Sequence, residues 1–250
     1  MRIAAAQFRP IKGNIDENLS RHLSLIKVAT QENIDLIVFP ELSLTGYEPE
    51  LAAELAISAG DPRLARLQKI ADENQLTIVC GAPIANESPH PQVGSLIIAP
   101  GQRVLLYRKI HLHPGENTYF TAGHQHCTFA HGAVRAGVAI CADTQHEHHA
   151  AQQKTAGADL YLVSSAITAE GYKRDTGLLE RWARRYEMPV VMANFHGATG
   201  EMLTVGSSSI WDRHGKLLVQ ACKDRDTLAM ADISTSNSRG WTRILPHTSD

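Results

Sequence analysis

The sequence has no long apolar run, no cluster of Lys and Arg residues and no CxxC pair. Without a run of membrane-spanning length or a signal-peptide core at its start, we expect a soluble, cytoplasmic protein with no membrane partner. The formal net charge of −2 lacks the basic excess that binding to a phosphate backbone requires, so no nucleic-acid partner is expected. Four dispersed cysteines in a chain that is 43% hydrophobic indicate reduced thiols and a core that needs no disulfides.

Short β-branched apolar runs alternate with amphipathic stretches along most of the chain, which predicts an α/β protein. Pairs of runs joined at Pro100-Gly101 and over Asp212–Gly215 are typical of antiparallel hairpins, so the sheets are predicted to be mixed. No repeat or linker divides the chain, so we predict one domain over residues 1–250, with an irregular polar tail from about 233. Helices are predicted over residues 15–31, 147–156 and 175–187, and a helical region over 51–73, whose second helix is predicted to begin at the capping Asp61 and Pro62.

Three ionisable residues each stand where a strand-like run ends. Glu41 follows IDLIVFP, Lys109 follows RVLLYR and Cys141 follows AVRAGVAI. Because the ligand crevice of an open α/β sheet lies at strand ends, we expect the three side chains to converge there. A partly desolvated carboxylate can take a thiol proton, and an ammonium can stabilise the oxyanion that thiolate attack creates. Each residue alone is more often a solvated strand terminus or a core cysteine, but the three together predict thiol acyl-transfer chemistry.

The segments around these residues, FPELSLTGYEP, YRKIHLHPGENTYFTAG and GVAICAD, resemble the three signature segments of the carbon-nitrogen hydrolase (nitrilase) superfamily. WARRYEMPVVMANFHG and GSSSIWDRHGKLL resemble later segments, so the resemblance extends to about residue 232. It implies a four-layer α-β-β-α sandwich with two mixed β-sheets, commonly assembled as a homodimer. It also implies that Glu41, Lys109 and Cys141 form a catalytic triad, and that Glu116 is a second catalytic glutamate that holds the lysine in position.

The resemblance implies an amidase-like hydrolase that cleaves a non-peptide carbon–nitrogen bond of a small amide through a cysteine thioester. Glu41 would move the protons, Lys109 and the Ala142 N–H would bind the oxyanion, and no metal or organic cofactor is implied. The alternatives are a nitrilase, an N-carbamoyl hydrolase, an acyltransferase with a soluble acceptor, and a binding protein without turnover. Nitrile-hydrolysing members tend to be longer, which favours the amide.

One departure from the family pattern bears on the substrate. Many members have an aromatic residue after the cysteine and an Arg four positions beyond it, where this chain has Ala142 and Gln145. Asp143 alone is kept, and the missing Arg removes an obvious partner for a substrate carboxylate. We predict substrate contacts from Tyr47, Ala142, Gln145, His146, Ala166 and Asn194.

Thirteen histidines include HLH at 111–113, HQH at 124–126 and HEHH at 146–149. A zinc site requires three or four ligands with ordered partners behind them, and these spacings alone do not provide such a set. We therefore predict no metal site, and we place His146, His148 and His149 at the pocket rim. The SSS run at 207–209 lacks the GxSxG turn of a serine hydrolase.

Overall fold

The computed structural model describes residues 1–233 and 238–246. Within these ranges the helices are α1 (Ile15–Gln31), α2 (Leu64–Asn74), α3 (Glu147–Thr155) and α4 (Ala169–Tyr186). The strands are β1 (Arg2–Gln7), β2 (Leu36–Val38), β3 (Thr77–Ile84), β4 (Gln92–Ile98), β5 (Leu105–Arg108), β6 (Thr128–His131), β7 (Val134–Ile140), β8 (Leu160–Ser165), β9 (Val190–Asn194), β10 (His196–Thr199), β11 (Met202–Val205), β12 (Ser209–Trp211), β13 (Leu217–Gln220), β14 (Thr227–Asp232) and β15 (Arg239–Ile244).

Two mixed sheets form the centre of the molecule. The first has the strand order β15-β14-β1-β2-β3-β4-β5, and the second has the order β13-β12-β9-β8-β7-β6. The middle of each sheet is parallel: β1, β2 and β3 in the first, and β7, β8 and β9 in the second. Parallel neighbours need a crossover connection, and α1, α2, α3 and α4 each follow one strand of such a pair and precede the other. The remaining pairs within these two sheets are antiparallel, including both predicted hairpins.

Alternate residues of the central strands face opposite layers. In β2, Val38 packs between the sheets, whereas Ile37 packs outward in the cluster that contains apolar residues of α1 and α2. In β8, Leu162 faces the other sheet and Val163 packs with α4 residues such as Trp182. Burial of both faces explains why these strands are continuous apolar runs instead of alternating patterns. The arrangement confirms the four-layer α-β-β-α sandwich with two mixed β-sheets. Among the described helices, none is both long and apolar enough to span a bilayer.

Three segments differ from the sequence-based predictions. In the helical region expected over 51–73, the second helix is α2, which begins at Leu64 and not at Asp61-Pro62, and the part before it is mostly irregular, with a short 3₁₀ turn at Pro49–Leu51. The helix expected from 175 begins at Ala169, although two glycines in its first half lower the intrinsic helix propensity. The expected irregular tail contains β15, so that part of the prediction is wrong: tertiary contacts hold this edge strand, with Trp241 Nε1 donating to Glu32 at 3.1 Å. Residues 234–237 and 247–250 of the predicted tail lie outside the described ranges.

Candidate active site

Three strand ends deliver the predicted acid, base and thiol to one place. Lys109 and Cys141 directly follow β5 and β7, and Glu41 lies in the turn just after β2. The Glu41 backbone N–H donates to the Ser165 carbonyl at 3.3 Å, which ties the first sheet to the second. The Lys109 N–H donates to the Val93 carbonyl at 2.8 Å. Backbone hydrogen bonds therefore hold Glu41 and Lys109 in place at the strand ends.

Two glycines allow the backbone around these residues to pack closely. A Cβ on Gly81 would lie 2.4 Å from the backbone nitrogen of Leu42, beside Glu41. A Cβ on Gly123 would lie 2.3 Å from the Arg108 carbonyl oxygen, and the Gly123 N–H donates to the Lys109 carbonyl at 2.7 Å. Any side chain at either position would displace the backbone that carries a triad residue.

Cys141 occupies a strained backbone conformation. Its φ of 40° lies in the left-handed region, which an L-residue with a side chain enters at a cost of about 1–3 kcal/mol. The residue begins a 3₁₀ turn, Cys141–Gln145, in which the Thr144 hydroxyl donates to the Cys141 carbonyl at 2.8 Å. Trp182 of α4 donates its Nε1–H to the Thr144 carbonyl, also at 2.8 Å, and so holds the turn from behind. Such outliers persist where surrounding structure enforces them, which is common at active sites.

A buried cluster of charges lies beside the thiol. Lys109 Nζ lies 2.7 Å from Glu41 Oε1 and 2.7 Å from Glu116 Oε1, and each of the three residues is no more than 3% exposed. The Tyr47 hydroxyl donates to Glu116 Oε1, and the His113 backbone N–H donates to Glu116 Oε2, both at 2.7 Å. One ammonium thus lies between two carboxylates, and Glu116 is oriented by two further donors.

These contacts shift the pKa of each triad residue. Burial raises the pKa of Glu41 to about 7; the Lys109 charge opposes this shift and the Glu116 charge adds to it. Burial alone would lower the pKa of Lys109, but the two carboxylates raise it above its usual value, so the ammonium persists. Burial and the charge of Glu41 raise the pKa of the Cys141 thiol, which contacts the Glu41 carboxylate. The resting thiol is therefore protonated and requires a base, and Glu41 is in position to act as one.

A cavity of about 440 Å³ opens above the cysteine. This volume suits a small molecule, and Cys141, Glu41 and Glu116 are among the residues that line it. Of the six residues predicted to contact substrate, three line the cavity: Tyr47, Gln145 and Ala166. Its other lining residues are Glu41, His113, Glu116, Cys141, Ile167, Thr168, Glu170, Gly171, Arg174, Asp175 and Met202. The side chains at the start of α4 were not recognised as cavity residues because the helix was predicted to begin at 175, whereas α4 begins at Ala169.

The other three predicted contact residues are not part of the cavity lining. Ala142 is buried in the turn, where only its backbone adjoins the nucleophile. Asn194 is fully buried; its Oδ1 accepts from the Ile167 N–H at 2.8 Å and its Nδ2 donates to the Gly206 carbonyl at 2.8 Å. It therefore positions the loop that lines the cavity. His146 is exposed and stacks on His111, with ring centroids 3.9 Å apart.

Asp143 connects the cysteine turn to the lysine strand. Its Oδ1 accepts from the His111 N–H at 2.9 Å and its Oδ2 accepts from the Ile140 N–H at 3.0 Å and the Tyr107 hydroxyl at 2.6 Å. Behind Tyr107, the His149 ring lies 2.9 Å from the tyrosine oxygen, and burial lowers the pKa of His149 to about 4. His149 is thus a neutral, buried member of this network and does not lie at the pocket rim, contrary to the sequence-based expectation. The position of Asp143, two residues after the cysteine, was the signal for its role.

Three of the histidines form a cluster on the adjoining surface. One ring nitrogen each from His111, His146 and His148 lies within 4.8 Å of the other two. His111 is half-buried, whereas His146 and His148 are exposed. Imidazole nitrogens at such separations could hold a metal ion, which the spacing of these residues in the sequence did not predict.

The chain is similar to proteins of a known family. A family model described as carbon-nitrogen hydrolase matches residues 2–243. A glutamine-dependent NAD(+) synthetase from Acinetobacter baylyi is 28% identical over 95% of this chain and 45% of its own length. An (R)-stereoselective amidase from Pseudomonas sp. is 28% identical over 90% of this chain and 82% of its own length. The chain spans less than half the length of the synthetases that it matches.

The fold has close structural counterparts. An amidase from Nesterenkonia sp. AN1 superposes with a TM-score of 0.86 at 23% sequence identity, covering 94% of each chain. At that identity the similarity supports the four-layer architecture and no more.

Proposed function

Because the chain belongs to the carbon-nitrogen hydrolase family, we propose that it is an amidase that hydrolyses a small amide through a thioester on Cys141. The observation that carries this proposal is the buried contact of Lys109 with Glu41 and Glu116 beside a strained cysteine at a cavity. Burying charged groups costs free energy, so a buried charge cluster is a sign of function. Here the cluster lies beside the Cys141 thiol, whose raised pKa makes a base necessary.

The proposed reaction proceeds in two halves. Glu41 takes the thiol proton, the Cys141 sulfur attacks the amide carbonyl, and Lys109 with the Ala142 N–H stabilises the oxyanion. When the carbon–nitrogen bond breaks, Glu41 returns the proton to the leaving ammonia or amine. Glu41 then deprotonates a water molecule, which attacks the thioester and releases a carboxylic acid and the free thiol. The role proposed for Glu116 is to position Lys109 and to set the charge around Glu41.

A second candidate substrate is the ω-amide of an amino acid, such as glutamine. Arg174, Glu170 and Asp175 line the same cavity as the cysteine, so a substrate carboxylate and ammonium would each find an opposite charge. Arg174 compensates for the Arg that the sequence lacks after the cysteine, although its Nε already donates to Asp175 at 2.8 Å. Several relatives are described as glutamine-dependent synthetases, which favours this candidate.

The proposal is tested by measuring ammonia release from small aliphatic amides, glutamine, N-carbamoyl amino acids and the matching nitriles. The amides or glutamine are expected to react, and Cys141→Ala is expected to abolish turnover while remaining folded. Cys80→Ala is the matched control, since Cys80 is buried in β3 and burial raises its pKa to about 12. Wild-type turnover by Cys141→Ala would reject the thioester mechanism, and reaction with nitriles alone would support a nitrilase. Product analysis with added amines separates hydrolysis from acyl transfer.

We also propose that the enzyme acts in the cytoplasm as a homodimer, the assembly common in this family. A solution mass near twice the 27.3 kDa chain mass, measured by analytical ultracentrifugation, is the expected result. A mass of one chain across the working concentration range would contradict the dimer.

A further inference from the structure

Three histidine rings from two segments meet on the surface beside the active site. His111 lies just beyond β5, and His146 and His148 flank the first residue of α3. The Nε2 atoms of His111 and His148 are 3.0 Å apart, and the ligand atoms of all three residues lie within 4.8 Å of one another. Two imidazole nitrogens this close must either share a proton or bind a common cation.

A buried carboxylate orients the central ring. Asp143 Oδ1 lies 3.0 Å from His111 Nδ1 and also accepts the backbone N–H groups of Ile110 at 3.2 Å and His111 at 2.9 Å. Because Asp143 Oδ1 accepts these backbone donors, the Asp143 side chain is the ionised carboxylate and has no hydrogen to donate. The hydrogen between Asp143 and His111 therefore lies on Nδ1 of His111. The Nε2 lone pair of His111 therefore points toward His148. A carboxylate bound behind a histidine in this way is the usual arrangement around a metal-ligating imidazole.

We propose that His111, His146 and His148 form a binding site for one divalent transition-metal ion, with Zn²⁺ as the probe. Imidazole nitrogen suits zinc, copper and nickel and not the harder Mg²⁺ or Ca²⁺. Two nitrogens bound about 2.0–2.1 Å from a tetrahedral zinc lie about 3.3 Å apart, close to the observed His111–His148 separation. His148 is exposed and turns toward the ion, the exposed His146 ring reaches it by leaving its stack on His111, and water completes the coordination. On binding, the hydrogen of His148 Nε2 moves through solvent exchange to Nδ1, so the neutral ring presents its Nε2 lone pair to the ion.

The ion would join two segments that carry the proposed active site. His111 follows the lysine strand, and His146 is the residue after the Cys141–Gln145 turn. Asp143 already links these segments through its hydrogen bonds to His111 and Ile140. A bound ion is therefore expected to hold the two segments together on heating. Metal binding and thermal stability are measured without turnover, so the histidine site does not depend on the proposed function.

The test is calorimetric titration of tag-free, chelator-treated protein with Zn²⁺, accompanied by thermal denaturation. The wild type is expected to bind one ion per chain and to melt at a higher temperature with zinc. His148→Gln is expected to bind at least about tenfold more weakly and to lose the thermal shift. His90→Gln is the matched control, since this exposed histidine forms its hydrogen bonds through its backbone. His146→Gln provides a second loss-of-ligand variant if His148→Gln does not fold.

Equal zinc binding by His148→Gln and His90→Gln would overturn the proposal. Cys141 is intact in both variants, so an ion held at the thiol would bind to both alike and would count against the histidine site. The absence of one-to-one binding by the wild type would overturn it as well.

Discussion

Replacement of Glu116 by Gln tests whether two carboxylates share one ammonium in the proposed mechanism. Glu116 Oε1 and Glu41 Oε1 each lie 2.7 Å from Lys109 Nζ, so they are separated by at most twice that distance. The charge of Glu116 is one cause of the raised pKa of Glu41. Glu116→Gln removes that charge and keeps the size of the side chain, so the pKa of Glu41 is expected to fall.

The size of the fall follows from Coulomb's law. Two negative charges about 5 Å apart at an effective dielectric constant of about 20 repel by about 3 kcal/mol, which equals about two pKa units. Lys109 stays charged and also favours the ionised form of Glu41, so we expect the pKa of Glu41 to fall from about 7 by about one to two units. A base is active when deprotonated, so a lower pKa extends activity to lower pH.

The variant should also turn over more slowly. A Gln oxygen can still accept from Lys109 and the Tyr47 hydroxyl, but its NH₂ group would then face the His113 backbone N–H. Two donors that face each other form no hydrogen bond, so the side chain at position 116 is held less firmly. The lower pKa also makes Glu41 a weaker base, which slows proton transfer further. We expect kcat to fall by about tenfold or more.

The assay is the pH dependence of kcat/KM for ammonia release, whose acid limb reports the free enzyme's base. Glu48→Gln is the matched control: Glu48 is also buried, but it accepts from the Gly200 N–H at 2.7 Å and does not contact Lys109. The acid limb is expected to move only in Glu116→Gln. An unchanged acid limb in an active Glu116→Gln enzyme, or an equal movement in Glu48→Gln, would refute the assignment of Glu41 as the titrating base.

Three further predictions concern other parts of the site. Lys109→Ala should lower kcat for ammonia release by about a hundred- to a thousandfold, the usual cost of losing an oxyanion donor; wild-type kcat would remove Lys109 from the mechanism. Asp143→Asn should lower the free energy of unfolding by about 2–4 kcal/mol in urea denaturation, because an amide NH₂ would face backbone N–H donors; unchanged stability would contradict this. Arg174→Gln should raise KM for glutamine about tenfold and leave KM for butyramide unchanged if Arg174 binds a substrate carboxylate; equal effects on both would argue against that role.

Much of the fold could be predicted because its central strands are buried on both faces. Such strands must be continuous apolar runs, and each run that ends in an ionisable residue is visible in the sequence. Glu41 and Cys141 were recognisable for this reason. Lys109 follows β5, a partly exposed edge strand, and was recognisable from its short apolar run and from flanking segments that, as for the other two residues, pointed to the family. Hairpin turns were recognisable because Gly101 and Gly215 adopt positive φ, which favours glycine.

Other features had no local signal. The edge strand β15 lies in a polar segment, and its conformation depends on pairing with β14 and on contacts with α1. Arg174 lies in the cavity only because α4 begins at Ala169, which the local glycines do not favour. The predicted contact residue Asn194 proved to be buried because its amide matches backbone groups of two distant loops.

Hydrophobic patterning and side-chain chemistry are local properties, and they were enough to predict the α/β class, the strand ends and the identities of the acid, amine and thiol. The charges around the thiol, the residues that line the cavity and the histidines that contact Asp143 became known only from the folded chain. Those properties depend on distances between segments far apart in the chain, and neither periodicity nor composition encodes such distances. The pKa of Glu41 depends on such distances, because side chains from distant segments meet in a desolvated cavity wall. The proposed metal site depends on them too, because histidines from two segments meet at the surface.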